Sequence, residues 1–102
     1  MEVVAVRAVR EFIDALDTPV RADVRRLVFL LEQYGHELPM LYTKPIGRGL
    51  WELRRTGRPQ IRILYGVRNG VAVLVVAVKK QRSTLQQKDI ELAKKRLSHY
   101  CD

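Results

Sequence analysis

Apolar positions recur at helical spacing in the first third of the chain. In the longer run they fall at Val20, Val24, Leu27, Val28, Leu31 and Tyr34. This run follows Thr18 and Pro19 and stops before Gly35, which are typical start and stop signals of a helix. A shorter helix over residues 8–16 has its own apolar face, and the two helices are predicted to form a hairpin. For residues 2–6 the pattern fits either a short edge strand or an extension of the first helix.

Three strand patterns come next, without an intervening helix. Residues 50–55 and 61–67 alternate in character, and residues 71–78 are apolar throughout. Asn69-Gly70 joins the second and third strands, and this dipeptide strongly favours a two-residue hairpin because both turn positions need a positive φ. The side chains predicted to face the core are Trp51, Leu53, Ile63 and Tyr65.

The hairpin also predicts a register. If Arg68 faces Val71, counting outward places Arg62 opposite Ala77 and Gln60 opposite Lys79. Residues that face each other on adjacent strands, and residues two positions apart on one strand, project from the same side of the sheet. We therefore predict that Arg62 and Lys79 project from the same face.

A closing helix completes the predicted architecture. Its apolar stripe consists of Ile90, Ala93, Leu97 and Tyr100. The chain is predicted to be a single α+β domain over residues 1–102, with two N-terminal helices, an antiparallel meander of three to four strands and a C-terminal helix. All three predicted helices are expected to pack on one face of the sheet.

Charge is distributed unevenly along this framework. The formal net charge is +8, of which the first 43 residues contribute −2 and the remainder +10. The cations between residues 44 and 88 are Lys44, Arg48, Arg54, Arg55, Arg58, Arg62, Arg68, Lys79, Lys80, Arg82 and Lys88. The same stretch holds one acid, Glu52, which is expected to pair with a neighbouring arginine. Such asymmetry favours a face that binds a polyanion, whereas cations that only solvate a surface are usually mixed with acids.

Most catalytic and cofactor motifs are missing from the sequence. There is no Walker loop, dinucleotide fingerprint, zinc-ligand spacing or Ser/His/Asp arrangement, so neither a cofactor nor a metal is expected. His36 and His99 both lie at predicted helix ends, where solvated or capping roles are the usual ones. The single cysteine, Cys101, the lack of a signal-peptide pattern and the short apolar runs favour a cytoplasmic protein with no membrane segment.

The cations on strands suit a phosphate group. Arg54, Arg62, Lys79 and Lys80 lie on or just beyond predicted strands, where arginine forks can contact phosphate oxygens in bidentate fashion. They could hold an RNA backbone or stabilise the charge of a phosphodiester transition state. The further cations predicted to contact RNA are Lys44, Arg48, Arg55, Arg58, Arg68 and Arg82.

Several sequence blocks in a fixed order resemble a known family. They are "EFIDAL", "LLEQYGHEL", "YTKPIGRGLWELR", "IRILYGV" and "VAVKKQRSTLQQKDIELAKKRLSHY". Together they resemble the phage-derived branch of the RelE/HigB-type toxins of type II toxin-antitoxin systems. The resemblance implies a small ribonuclease-like α+β fold and a metal-independent mRNA interferase that cleaves messenger RNA on the ribosome. The implied partners are the ribosome, mRNA and a helix-turn-helix, HigA-like antitoxin, in a complex that could be of higher order.

The same resemblance suggests roles for individual residues. Arg62 in "IRILY" takes the place of the sheet arginine that acts on the scissile phosphate, and Arg54 in "WELR" matches a basic strand position that handles substrate. Lys80 in "VKK", with Lys79 beside it, matches the basic residue at the end of the final strand. The general base stays unassigned, because His99 and Tyr100 match the C-terminal catalytic position only approximately. Family members of this kind use the substrate's 2′-hydroxyl as nucleophile and leave a cyclic phosphate.

Two other functions remain open. One is a noncatalytic RNA-binding or antitoxin-binding protein, derived from a toxin that has lost turnover. The other, a DNA-binding regulator, is disfavoured because the basic residues lie on strands and turns and not on an exposed recognition helix.

Overall fold

A computed structural model describes residues 1–80 and 85–100, with Lys80 described by its backbone only. The helices and strands, in chain order, are β1 (Glu2–Ala5), α1 (Arg7–Asp14), α2 (Thr18–Tyr34), β2 (Thr43–Gly47), β3 (Leu50–Arg55), β4 (Gln60–Arg68), β5 (Val71–Lys80) and α3 (Gln87–His99). The predicted α+β class is confirmed, and the arrangement is consistent with the ribonuclease-like fold that the resemblance implies. Within the described ranges, no helix has the length and apolar character needed to cross a membrane.

The longer N-terminal helix follows its sequence signals closely. Helix α2 begins at Thr18, has Pro19 in its first turn and is capped by Gly35 at φ 54°. A positive φ of this kind favours glycine, because a Cβ atom would crowd the backbone there. The predicted start and stop of this helix are therefore confirmed.

The strands form one mixed sheet in the order β1-β5-β4-β3-β2. Residues 2–5 are an edge strand that runs parallel to β5, which settles the choice left open by the sequence. Strand β2 on the other edge was not among the predicted strands. Its sequence, TKPIG, has a low strand propensity, and Pro45 is tolerated because an edge strand need not donate every backbone hydrogen bond.

Helices cover both faces of the sheet, so the prediction that they share one face is wrong. Leu53, Ile63 and Tyr65 pack in the core under α1 and α2, with Trp51 half-buried beside them, as predicted. The other core, under α3, contains Leu50, Leu64, Val73, Val75, Val76, Ala93 and Leu97. Residues 71–78 of β5 are all apolar because this part of the strand is covered on both sides, a pattern that helices on one face only cannot satisfy.

A β-bulge changes the predicted register. The Asn69-Gly70 turn is confirmed, with positive φ at both residues, and pairing follows the prediction from the turn as far as Tyr65 and Leu74. Val75 is then skipped, so Arg62 lies opposite Val78 instead of Ala77, and Ile61 lies opposite Lys79. Since each residue of shift reverses the face, the prediction that Arg62 and Lys79 share a face is wrong.

Helix α3 makes two contacts that fix it on the sheet. Arg96 donates from Nη1 to the carbonyl of the bulge residue Val75 at 2.8 Å. Leu97 lies directly over Gly66 of β4, where a Cβ atom would come within 3.2 Å of the leucine Cγ and closer still to both of its methyl groups.

We expect Gly66→Ala to lower the free energy of unfolding by about 1–3 kcal/mol, because the added methyl group forces the buried Leu97 side chain to move. Chemical denaturation of the purified variant measures this change. In the double variant Gly66→Ala, Leu97→Ala, the loss of unfolding free energy should be smaller than the sum of the losses in the two single variants, since the smaller side chain makes room. If the two losses simply add, contact between the added methyl group and Leu97 is not the cause of the destabilisation.

Candidate phosphate-binding site

A buried ion pair lies at the centre of the basic segment. Glu52 of β3 is 2% exposed and Arg62 of β4 is 8% exposed. Nη1 of Arg62 donates to both carboxylate oxygens of Glu52, each 3.1 Å away. Nη2 of Arg62 donates to Oε1 of Gln60 at 3.0 Å. The expectation that Glu52 pairs with a neighbouring arginine is thus confirmed.

Arg54 is the second cation beside Glu52. It lies directly opposite Arg62 in the β3–β4 ladder, and its Nε is 3.8 Å from Oε1 of Glu52. Like charges in facing positions repel each other, and here the carboxylate between them offsets that repulsion. We refer to Arg54, Glu52 and Arg62 as the Arg–Glu–Arg cluster; its formal charge is one positive unit.

The two arginines differ in accessibility. The side chain of Arg54 is 25% exposed, and its Nη2 donates to the Met40 carbonyl at 2.6 Å. Its Nε is buried and makes no hydrogen bond within the part of the chain described here. This Nε has almost no solvent-accessible area and lies toward the Glu52 carboxylate, so an incoming anion meets the exposed part of the Arg54 side chain and not Nε. Arg54 is the member of the cluster best placed to contact a phosphate.

Both arginines are held on rigid backbone. Alternation along β3 and β4 puts the cluster on the sheet face that α3 covers, where Leu64 and Val78 also lie. Backbone ladder bonds on both sides of β4 fix the base of the Arg62 side chain. Such preorganisation limits the rearrangement needed when charge develops on a bound group.

The two remaining residues predicted to be catalytic are Lys79 and Lys80. By its pairing with Ile61, Lys79 belongs to the opposite face, the one covered by α1 and α2. The backbone of Lys80 pairs with Gln60, and its side chain is outside the described part of the structure. The assignment of catalytic roles to Lys79 and Lys80 stays a prediction.

The predicted RNA-contacting cations are spread over several surfaces. Lys44 of β2 pairs with Glu52 and so lies on the cluster face, where it is exposed. Arg55 turns to the other face, where it donates to Asp23 of α2 at 3.1 and 3.0 Å and to the Pro59 carbonyl. Arg55 is therefore engaged in fixing β3 to α2.

Three further cations of that set are exposed in or beside turns, and one cannot be placed. Arg48 lies between β2 and β3 at φ 58°, Arg58 precedes β4, and Arg68 ends β4 beside the hairpin turn. The structure does not bring Arg68 into the cluster, since five residues of β4 separate it from Arg62. Arg82 lies outside the described residues.

Tyr65 is a packed aromatic and not a stacking platform for bases. It is buried, its ring stacks on Trp51 with centroids 6.5 Å apart, and its hydroxyl shares a 2.7 Å hydrogen bond with Thr43. Burial raises the pKa of Tyr65, and the Thr43 hydrogen bond opposes this only in part. The hydroxyl is therefore neutral at any physiological pH.

Sequence reasoning did not identify every buried polar group. Asp89 in the first turn of α3 is buried, whereas its sequence context, between Lys88 and Ile90, suggests only a charged helix start. The hydrogen bond from Arg54 to the backbone carbonyl of Met40 could not be predicted from the pattern of side chains either. Both depend on tertiary contacts, so the sequence contains no signal for them.

One comparison with known proteins gave a match. The family model of phage-derived Gp49-like proteins matches residues 11–98, which include all three helices and strands β2–β5 apart from the first residues of α1 and the last of α3. A search of curated proteins gave no match. Since the match spans most of the chain, this protein belongs to the family of phage-derived Gp49-like proteins.

Proposed function

We propose that this protein is the toxin of a type II toxin-antitoxin pair, and that it cleaves messenger RNA on the ribosome. The observation that carries the proposal is the Arg–Glu–Arg cluster, which presents a partly exposed arginine on a rigid strand beside a buried ion pair. Family membership and the +10 charge after residue 43 support the same function.

The proposed reaction needs positioning and charge stabilisation more than a strong nucleophile from the protein. The substrate's 2′-hydroxyl attacks the adjacent phosphorus, the bond to the 5′-oxygen of the next nucleotide breaks, and a cyclic phosphate remains. The departing 5′-oxygen takes up a proton, and the 2′-hydroxyl loses one. In the transition state the phosphorus carries extra negative charge on its oxygens, which a fixed guanidinium stabilises.

The cluster divides this work between its members. Arg54 contacts the phosphate, because it is the more exposed of the two arginines. Glu52 and Arg62 are positioning residues, since the carboxylate fixes the Arg62 guanidinium and lies within 3.8 Å of Arg54 Nε. Lys44, exposed on the same face, adds attraction for the RNA backbone.

We expect induction of this protein alone to arrest bacterial growth and protein synthesis. Growth curves and amino-acid incorporation after induction measure this, with primer extension on mRNA to locate cuts. Co-expression of a helix-turn-helix protein encoded next to it should restore growth. Normal growth at confirmed soluble expression would contradict the toxin function.

We expect RNA binding to weaken steeply with salt. Each neutralised phosphate of a single strand contributes a slope of about −0.7 in log K against log salt. Contact with about four phosphates then lowers affinity roughly fiftyfold between about 50 and 200 mM salt. Fluorescence anisotropy with a labelled single-stranded RNA measures the slope. An affinity indifferent to salt would contradict a phosphate-binding face.

A noncatalytic RNA-binding or antitoxin-binding protein is the second candidate. The observation that favours it is the neutralisation of Arg62 by Glu52 in a site only 8% exposed, which removes the arginine that the resemblance places on the scissile phosphate. An assay of mRNA cleavage distinguishes the two functions. A noncatalytic protein would bind ribosomes or RNA without producing cut mRNA.

A further inference from the structure

We propose that Gln60 is a substrate-contacting residue, which donates a hydrogen bond from its side-chain amide to the RNA phosphate beside Arg54. The inference rests on the proposed function for the identity of the substrate. Gln60 is the first residue of β4 and is half-buried. Because it is uncharged, the charge pattern of the sequence contains no signal for it.

The orientation of the Gln60 amide follows from the chemistry of its partner. Nη2 of Arg62 lies 3.0 Å from Oε1 of Gln60. A guanidinium has five N–H donors and no acceptor, so only the amide oxygen of Gln60 can face it. The amide nitrogen, Nε2, therefore points away from Arg62.

This amide nitrogen is available to a ligand. Among the residues that the structure describes, Nε2 of Gln60 has no hydrogen-bond partner, and it is not one of the atoms closed off from solvent. An amide nitrogen carries two N–H donors, and glutamine side chains are among the groups that commonly donate to phosphate oxygens of nucleic acids. Gln60 thus presents neutral donors to solvent at the candidate site.

Gln60 and Arg54 lie on the same face of the sheet. Arg54 faces Arg62 across β3 and β4, and Gln60 is two positions before Arg62 on β4. Gln60 is thus a diagonal neighbour of Arg54, and such neighbours lie about 7–8 Å apart, within reach of long side chains. One phosphate group can accept hydrogen bonds from both side chains.

The backbone around Gln60 is held in place. Nη1 of Arg55 donates to the carbonyl of Pro59 at 2.6 Å, and the backbone of Gln60 pairs with Lys80 of β5. Together with the hydrogen bond from Arg62, these contacts fix the amide before RNA binds. Donors that need no rearrangement stabilise the charge that develops in a transition state most effectively.

This arrangement gives Arg62 a role that is compatible with its burial. Nη1 of Arg62 donates two hydrogen bonds to Glu52, which neutralises its charge, while Nη2 orients Gln60. Arg62 then acts on the phosphate through Gln60 and is a positioning residue. A neutral residue at position 60 also leaves the Arg–Glu–Arg cluster with its net positive charge, which a glutamate would cancel.

Two substitutions of Gln60 test the contact. Gln60→Met keeps the length of the side chain and removes the donors, and we expect it to slow single-turnover cleavage of ribosome-bound mRNA at least about tenfold. Gln60→Glu also removes the donors but keeps an acceptor for Arg62, so it preserves any purely structural role. Thr56→Glu adds the same charge at an exposed position just after β3 and is the matched control. We expect Gln60→Glu to cleave at least about tenfold more slowly than Thr56→Glu. Urea denaturation of each variant shows that it is folded.

NMR spectroscopy gives a readout that does not depend on cleavage. The side-chain NH₂ signal of Gln60 is identified by its loss in Gln60→Met. A short single-stranded RNA whose 2′-hydroxyls are methylated cannot be cut, and its addition should shift this signal. The NH₂ signal of Gln33, which is exposed on α2 at the other face of the sheet, should stay in place.

The outcomes separate the Gln60 contact from the proposed function. Equal cleavage rates for Gln60→Glu and Thr56→Glu, a parent-like rate for Gln60→Met, or an unmoved Gln60 signal at saturating RNA would each overturn the contact alone. A shifted Gln60 signal in a protein that binds RNA without cutting mRNA would support the contact and overturn the proposed cleavage. A parent protein that does not bind RNA would overturn both.

Discussion

Arg62→Ala is expected to lower the free energy of unfolding by about 3–5 kcal/mol, because it leaves the carboxylate of Glu52 buried without its main partner. Glu52 is 2% exposed and accepts two hydrogen bonds from Arg62, at 3.1 Å each. Arg54, 3.8 Å away, compensates in part, so the lower end of that range is the more realistic. Urea denaturation of the purified variant measures the loss.

A paired replacement is the control for this effect. Glu52→Leu together with Arg62→Met removes both charges and fills a similar volume, so most of the lost stability should return. An Arg62→Ala variant within about 0.5 kcal/mol of the parent would show that the ion pair contributes little. A large loss means that reduced activity of Arg62→Ala is not by itself evidence for a phosphate contact.

The sequence predicts those parts of the fold that depend on local patterns. The 3.6-residue period and the Thr18, Pro19 and Gly35 signals suffice for α2, and Asn69-Gly70 suffices for the hairpin. In each case the physical cause lies within a few residues, because a cap or a turn needs a particular φ at a particular position.

Features set by tertiary contacts could not be predicted from local sequence patterns. No residue type near Val75 marks a bulge in a run of Val, Ala and Leu, and Arg96, which satisfies the bulge carbonyl, lies 21 positions further along the chain. That single extra residue moves Lys79 away from the face of Arg62. The continuous apolar run of β5 did contain the signal for helices on both faces, since a one-sided sheet would alternate.

The candidate site, too, could be predicted only in part from the sequence. One acid within a basic segment was sufficient to predict that Glu52 pairs with an arginine. Which arginine is buried in that pair and which is accessible depends on cross-strand geometry and on the Met40 carbonyl. Family resemblance favours Arg62 as the phosphate ligand, whereas burial and hydrogen bonding favour Arg54.

Arg54→Ala distinguishes these assignments. We expect it to reduce ribosome-dependent mRNA cleavage by about a hundred- to a thousandfold, the usual loss when one preorganised donor to a developing oxyanion is removed. Stability should fall by only about 1 kcal/mol, because the side chain is 25% exposed and its ion pair with Glu52 is long. Single-turnover cleavage with saturating ribosomes gives the rate, and urea denaturation gives the stability.

Matched variants decide whether such a loss comes from the position of Arg54 or from its charge. Arg68→Ala removes the same charge from an exposed position beside the hairpin turn, and it should lower RNA affinity modestly without reducing the cleavage rate of bound substrate. Arg54→Lys keeps the charge but loses the guanidinium fork that reaches both the Met40 carbonyl and an anion, so it should recover only a small part of the activity. If Arg54→Ala cleaves bound mRNA as fast as Arg68→Ala does, Arg54 is not the phosphate ligand. The catalytic role then returns to Arg62.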